Sequence, residues 1–522
     1  MSKEDKVQEH DKKILHNMGY AQELARRMSG FSNFAISFSI ICILAGGITT
    51  FPVALSTGGG FSVAMGWIFG GLIAMIVALG MGQIASSFPT AGGLYHWSSH
   101  LGGKAWGWAT AWFNLLGLIF VVSSVDVGVY ILFRELITKP MFGVALDNWM
   151  LTLSPAFTVD MWQLTIVSLF LISQALFNHY GIKVTTILTD FSGYLIFAVA
   201  AILIVSLLAF SPVKLDFSRL ITFQNFTGDS GGGVYPAHPS AAFAFLLSLL
   251  FVLYTLTGYD ASAHTSEETH DAQVNVPKGM WQAVMWSWIS GFIMVATFVL
   301  VLPSVSEGAA QGWNSFYFMY GSSLMPNILR VVLSVGIVLA NYLCALAGLT
   351  SCSRMMFAFS RDGGLPFSKT LSHVSTQYRT PTYAIWTSAV IAVLSTIYGN
   401  AFVVLSTACA VFLYLSYVMP IAAGFFAEGK VWKEKGPFNL GAWSKPNAVI
   451  AVLGGIVLAI TGFFPPNEKV FYLTAAMVVV MVVLWYAVER NRFEGVPEGD
   501  KIKQLQKTIA EIEAKYDGSP AD

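Results

Sequence analysis

Apolar residues run through this chain in long blocks, each near the length of about 20 residues that an α-helix needs to cross the hydrocarbon core of a bilayer. Twelve blocks can be drawn, beginning near Phe31, Ser62, Ala105, Met161, Val184, Ala241, Gly279, Pro326, Pro381, Ala401, Ala448 and Val470. The third and eighth are long enough to tilt or to extend beyond the membrane. The pattern predicts an all-α polytopic membrane protein with about 12 transmembrane helices. Polar tails flank the blocks. Residues 1–30 lack the apolar core of a signal peptide, so the first span must act as its own insertion signal. Residues 489–522 contain a short amphipathic helix, Gly499 to Lys515, with Ile502, Leu505, Ile509 and Ile512 at helical spacing. This helix is expected to lie on the protein or membrane surface, with a regulatory or partner-binding role as the alternative.

Composition sharpens the picture. Of the 522 residues, 55% are hydrophobic and 11% charged, against about 25% charged in a soluble domain. Formal net charge is zero, so no global field draws the chain to nucleic acid. Cys42, Cys344, Cys352 and Cys409 sit in apolar stretches without metal-ligand spacing. No metal site is expected. No GxxxxGK[ST] signature or hydrolytic constellation appears, which argues against an ATP-driven pump and against an enzyme. The histidines, among them His96, His100, His264 and His270 near span ends, are scattered.

Charge placement orients the spans. With twelve spans both termini share one side, and 23 of the 29 Lys and Arg residues fall on it. The remaining six are Arg134, Lys139, Lys214, Arg219, Arg330 and Lys469. Lys and Arg collect on the cytoplasmic side, so both termini are expected there, in a plasma (inner) membrane.

Two spans contain what a spanning helix should avoid. In the first, Ala45-Gly46-Gly47-Ile48-Thr49-Thr50 is small, flexible and polar, and Pro52 follows. In the sixth, Thr257-Gly258-Tyr259-Asp260 interrupts an apolar run and places an ionisable group at membrane depth. Irregular backbone at that depth survives only inside protein or beside water. Unwound segments free N–H groups for a carboxylate and C=O groups for an ammonium or Na+. Breaks in spans one and six point to an inverted repeat of five spans plus five. The repeats would cover 31–211 and 240–425, with spans eleven and twelve at 446–488 outside them. The competing reading is that Gly46 and Gly47 only permit close helix packing. That reading is the better one for Gly66 to Gly70.

At these residues the chain resembles the amino acid–polyamine–organocation transporters, and within them the amino acid/choline (γ-aminobutyrate permease-like) branch. Three blocks carry the resemblance: the glycine-rich first break, GYDASAHTSEETHDAQVNVPKGM from Gly258 to Met280, and SRMMFAFSRDGGLP from Ser353 to Pro366. It covers roughly Glu23 to Arg490. The resemblance implies a LeuT-like fold, alternating access, and a substrate site between spans one, three, six, eight and ten. Carried over by position, Ala45, Gly46, Gly47 and Ile48, with Thr49 beside them, would offer N–H groups to a carboxylate. Thr257, Gly258, Tyr259 and Asp260 would meet the amino end, and Tyr254 would close over the substrate. Two departures stand out. Relatives commonly show Gly-Ser-Gly where this chain has Ala45-Gly46-Gly47. Some proton-coupled relatives carry a span-five lysine, and here Ile196 stands near that position.

Asp126, Asp190 and Asp260 are the acids deepest in the spans, and such charges mark sites or pathways. Asp260 could bind an ammonium or relay a proton. Asp126 could face the same cavity or make a helix–helix hydrogen bond, while Asp190 suits a structural or gating role. Thr350, Ser351 and Ser353 in span eight could offer oxygens to Na+, although hydroxyls in membrane helices more often bond their own backbone. Glu267, Glu268, His270, Arg361 and Asp362 could form a charge network that opens and closes, with Glu267 and Arg361 as gate. No cofactor is expected beyond a coupling ion, H+ or Na+.

The leading expectation is a secondary transporter importing a small amino acid or amine such as γ-aminobutyrate. The alternatives are a choline, ethanolamine or polyamine permease and an amino acid exchanger. A channel would need a continuous polar pathway, and a membrane sensor would need longer tails for signalling. The expected partners are the small-molecule substrate and membrane lipid, with no nucleic acid.

Overall fold

The computed structural model describes residues 3–154, 157–397, 401–516 and 519. Among the described residues, ten helices are long and apolar enough to cross a membrane. Two shorter apolar helices, Ala241–Thr255 and Thr382–Ser395, complete the twelve expected spans. The first of these is short because span six is broken. The only sheet among the described residues is a two-stranded antiparallel hairpin, Met150–Ser154 with Phe157–Asp160, which the apolar pattern did not announce.

Helix starts follow capping chemistry. The hydroxyl of Ser29 accepts from Ser32 N–H at 3.1 Å before Gly30–Ile41, and the carboxylate of Asp160 accepts from Gln163 N–H at 3.0 Å before Met161–His179. Each satisfies a donor that the first helical turn leaves open. Where the sequence pattern separates spans one and two, the helix Phe51–Ser87 is continuous apart from a kink at Gly58 and Gly59. Gly59 has φ +63°, a left-handed conformation that glycine adopts without a Cβ penalty. Span seven begins earlier than the pattern suggests, at Ala272 rather than near Gly279. Pro277 lies in its second turn, close to where a missing N–H does little harm.

Burial separates core from periphery. The most apolar windows of spans one and ten are 89% and 83% buried, whereas that of the last span is 17% buried. Span ten packs along span three, span eight along span three, and spans six and seven along Phe51–Ser87. The termini share one face. Glu513 of the helix Asp500–Glu513 accepts from Gln22 N–H at 2.8 Å and pairs with His16 at 2.7 Å. The amphipathic helix thus rests on the N-terminal segment.

Candidate functional site

The first span unwinds between Ile41 and Gly46. The N–H groups of Ile43, Leu44 and Gly47 find no acceptor among the described residues. Gly46 lies against span six, where a Cβ would come within 2.7 Å of Thr255 Cα. Gly47 faces span seven, and a Cβ there would meet Met294 Cε at 2.8 Å. The glycine pair therefore lets the backbone approach its neighbours closely. Of the N–H groups expected to be open, those of Ala45 and Gly46 bond to Cys42 O and those of Ile48 and Thr49 to Ala45 O, because Gly46–Thr49 closes into a helical turn, and among them that of Gly47 alone finds no acceptor.

Span six stops at Thr255 and resumes at Ala261–His264. Gly258 has φ +86°, and a Cβ there would overlap Ile40. The carbonyls of Thr255 and Thr257 accept nothing among the described residues. Span ten braces the gap with two tyrosines. Tyr414 O–H donates to Leu256 O at 3.2 Å. Tyr417 O–H accepts from Gly258 N–H at 2.9 Å and donates to Asp260 Oδ1 at 2.8 Å. The Tyr259 ring lies 4.8 Å from that of Tyr417.

Asp260 is fully buried. Besides Tyr417, Asn114 of span three donates to Oδ2 at 2.8 Å, and His264 Nε2 lies 3.2 Å from the same oxygen. A buried carboxylate held by three partners is the strongest concentration of polar interactions at the break. Asn114, His264, Tyr414 and Tyr417 escaped the sequence reading. For His264 a signal existed, since residues i and i+4 share a helix face. For the others, 146 to 159 positions from their partners, none did.

The half-helices nearest the termini are bound together. Ser37 O–H donates to Tyr259 O at 2.9 Å, Asn33 Nδ2 donates to Ser262 O at 2.9 Å, and Ser262 O–H donates to Asn33 O at 2.8 Å. Toward the opposite face, Ile48 and Thr49 line a cavity of about 390 Å3 together with Tyr130, Gln163, Trp313 and Phe402. Tyr254, one turn before Gly258, donates to Ser124 Oγ at 3.0 Å and meets Phe402 edge-on at 6.1 Å. Thr257 O–H donates back to Tyr254 O.

The remaining candidates lie elsewhere. Asp126 accepts from Gln174 of span four at 2.8 Å. It stands two residues from Ser124, about 200° around the helix, and so faces away from Tyr254. Asp190 accepts from Ser32 O–H at 3.0 Å at the start of span one. Thr350 O–H donates to Asn178 Oδ1 at 2.8 Å, and Ser353 O–H donates to its own helix at Thr350 O. Ser351 Oγ is buried without a partner. Arg354 N–H donates to Ser353 Oγ at 3.2 Å, so a guanidinium occupies this region.

On the termini side, charged and aromatic groups interlock. Arg361 makes a two-pronged bond to Glu267 at 2.9 and 3.0 Å, and its guanidinium stacks 3.9 Å from the Tyr20 ring centre. Tyr20 and Tyr95 O–H groups donate to Asp362 Oδ2 at 2.9 and 3.0 Å. Burial pushes the Asp362 carboxyl up to about 6, against the downward pull of Arg361. Among the described residues no cluster suited to a metal ion is present.

Comparison with known proteins follows the same lines. The family model described as "Amino acid permease" matches residues 28–487. "Amino-acid permease BAT1" of Arabidopsis thaliana is 31% identical over 507 residues, covering 92% of this chain and 95% of the relative. "Amino-acid permease BAT1 homolog" of Oryza sativa subsp. japonica is 34% identical over 443 residues, covering 82% of each. "Amino-acid permease 2" of Neurospora crassa is 26% identical over 505 residues.

Proposed function

The chain belongs to the amino acid permease family, a multi-pass membrane transporter rather than an enzyme, and from that premise we propose that it imports a small zwitterionic amino acid by alternating access. The reading assigns the substrate carboxylate to the open N–H groups at the first break, around Leu44 and Gly47. It assigns the amino end to the open carbonyls of Thr255 and Thr257, with Asp260 supplying negative charge behind them. Tyr254 and Phe402 cover the substrate from the cavity side. The observation that carries this is the pairing of two opposed breaks, one with unused donors and one with unused acceptors beside a buried acid. Groups so placed are costly unless a ligand completes them.

The same reading takes 31–211 and 240–425 as inverted repeats, with the termini face cytoplasmic. Span one and span six then hold equivalent places, which accounts for both being broken. γ-Aminobutyrate fits as well as an α-amino acid. A carboxylate-free amine such as choline is the second reading, favoured by Tyr259, Tyr414 and Tyr417 near the acid, since aromatic faces attract quaternary ammonium groups.

A thermal-shift panel of purified protein tests this, because a ligand of the folded state raises apparent stability by mass action. The panel compares α-amino acids, γ-aminobutyrate, choline, ethanolamine and polyamines. A shift with a zwitterion that vanishes in Gly47→Leu or Asp260→Asn supports the site. A shift only with carboxylate-free amines moves the chain to the second reading, and no shift with any of them defeats the substrate assignment.

A further inference from the structure

We propose that a phospholipid binds in a cavity on the face opposite the termini, with its phosphate on Arg330 and an acyl chain along span eight. The site is separate from the two broken helices and does not depend on which substrate is carried.

Three elements enclose it. Span three runs on to Phe142, the helix Ser315–Ser322 follows span seven, and span eight begins at Asn327. Between them lies a cavity of about 510 Å3, a size that suits a small molecule or a lipid headgroup. Its walls are apolar at Leu136, Pro140, Met141 and Val331 and aromatic at Tyr317 and Tyr320. Tyrosines collect where hydrocarbon meets headgroups, and the start of span eight stands at that level.

Arg330 supplies the charge. Its Nη2 donates to Ser323 O at 2.8 Å, and its guanidinium lies 6.0 Å from the Tyr320 ring centre. Its Nε is buried and has no acceptor, and a buried donor left unmade is costly. Among the described residues the guanidinium makes no ion pair. Such a planar fork matches two oxygens of one phosphate. Glu135 also faces the cavity, but Arg134 Nε at 3.0 Å and Lys139 Nζ at 3.3 Å already hold it. Arg134, Lys139 and Arg330 thus set three cations against one acid, which favours an anionic group over the ammonium end of a free amino acid.

The apolar part of the ligand follows from span eight. Ile328, Val331, Val332, Val335 and Leu339 are exposed and recur at helical spacing. A spanning helix turns such a stripe toward lipid. Val331 belongs both to the stripe and to the cavity wall, so the cavity opens onto the bilayer. A soluble phosphate gains nothing from the stripe. A phospholipid can seat its phosphate at Arg330 and lay a chain on Val332 and Val335.

The cavity has a neighbour. Glu135 and Tyr317 line it and also line the cavity that holds Ile48, Thr49 and Phe402. A lipid seated here therefore packs against the same helix, Ser315–Ser322, that walls the approach to the breaks.

The test measures melting temperatures of the delipidated full chain in detergent with three probes. Dioctanoyl phosphatidylglycerol carries both phosphate and chains. Dioctanoylglycerol carries the chains alone, and glycerol phosphate carries the phosphate alone. A ligand of the folded state raises apparent stability with concentration. The first probe is expected to give a saturable rise and the other two little or none. In Arg330→Met the concentration giving half the rise should increase about tenfold or more, as loss of a charge-assisted hydrogen bond requires. A Cβ at Gly321, which lines the cavity, would meet nothing within 4 Å, so Gly321→Phe fills the space without disturbing the fold and should abolish the rise. If Arg330→Met does not fold, Gly321→Phe decides. A full rise with glycerol phosphate overturns the lipid in favour of a soluble phosphate. An equal rise with dioctanoylglycerol overturns phosphate recognition, and an unchanged rise in both variants overturns the site. None of these readings needs substrate, so failure here and failure of the transport reading are distinguishable.

Discussion

Arg354 and Glu268 face each other with two guanidinium nitrogens 3.0 Å from the two carboxylate oxygens, and neither side chain has any exposure to solvent. Removing one partner leaves an uncompensated buried charge, which costs about 3–5 kcal/mol. Arg354→Met is therefore expected to lower thermal stability in detergent severely. Glu268→Leu combined with Arg354→Met should recover most of the loss, because two desolvated charges disappear together. A double variant no more stable than Arg354→Met would show that the pair is not an isolated unit.

The neighbouring pair, Glu267 with Arg361, is placed differently. Arg361 retains 13% side-chain exposure and stacks on Tyr20 from the N-terminal segment. A group that touches both span six and a terminal segment is suited to part and reform during a cycle. Arg361→Ala is expected to make cysteines introduced at residues 263 and 91 more reactive to a membrane-impermeant thiol reagent from the termini side. Unchanged labelling would assign the pair to static support.

How much of this was legible beforehand depended on where the information lay. The interruptions were visible because glycine, proline and aspartate are costly inside a lipid-facing helix, so their presence is a local signal; that signal locates the sixth-span break at Thr257–Asp260, but in the first span the chain unwinds one turn earlier than Ala45–Thr50, between Ile41 and Gly46. Span number was legible from the length of the apolar blocks, and the shared side of the termini from their even count. The grip on Asp260 was not. Asn114 and Tyr417 are unexceptional residues in otherwise regular helices, and only the packing of spans three and ten against span six gives them a task. Asp126 shows the converse. Like Asp260 it is an acid at membrane depth, but without a break beside it the sequence left a shared cavity and a helix–helix hydrogen bond both open, and helical rotation turns it toward Gln174. Thr350 and Ser353 bond to helix and side-chain neighbours, as small hydroxyls at membrane depth commonly do.

Gly258 combines φ +86° with contact against Ile40. Gly258→Ala meets both obstacles, a left-handed conformation and an overlap, and strain of this kind costs on the order of 1–3 kcal/mol. Stability and uptake should both fall. Ile40→Ala added to Gly258→Ala should relieve the overlap but not the conformational strain, and so restore only part of the loss. Full restoration would show that the backbone conformation carries no cost.

Tyr417→Phe removes the acceptor of Gly258 N–H and a donor to Asp260 in one step. Each buried group left unpaired costs about 1–3 kcal/mol. The phenylalanine ring still fills the space beside Tyr259, so the fold is expected to survive with reduced stability. Uptake should drop further than stability does, because both losses fall on the break. Uptake close to wild type would remove Tyr417 from the site.

Asp362 gives a pH dependence whose sign follows from its environment. Its carboxyl is pushed from the ordinary 3.8 up to about 6 by burial. Between those values the folded chain holds a proton that the unfolded chain has released, so stability from this group falls as pH rises. The contribution is fully present below about pH 4 and is lost as pH passes through about 6. Tyr20 and Tyr95, both donors, can serve the acid in either state, but only the ionised form meets the cost of burial. Asp362→Asn keeps an acceptor for both tyrosines and cannot ionise. Relative to wild type it should gain stability on the order of 1 kcal/mol near pH 7.5, allowing for partial exposure, and nothing near pH 4. Melting temperatures of both proteins across that range check the difference. A variant that is less stable at the higher pH would mean that the attraction between Asp362 and Arg361 outweighs burial, and that the carboxylate rather than the acid holds the N-terminal segment in place.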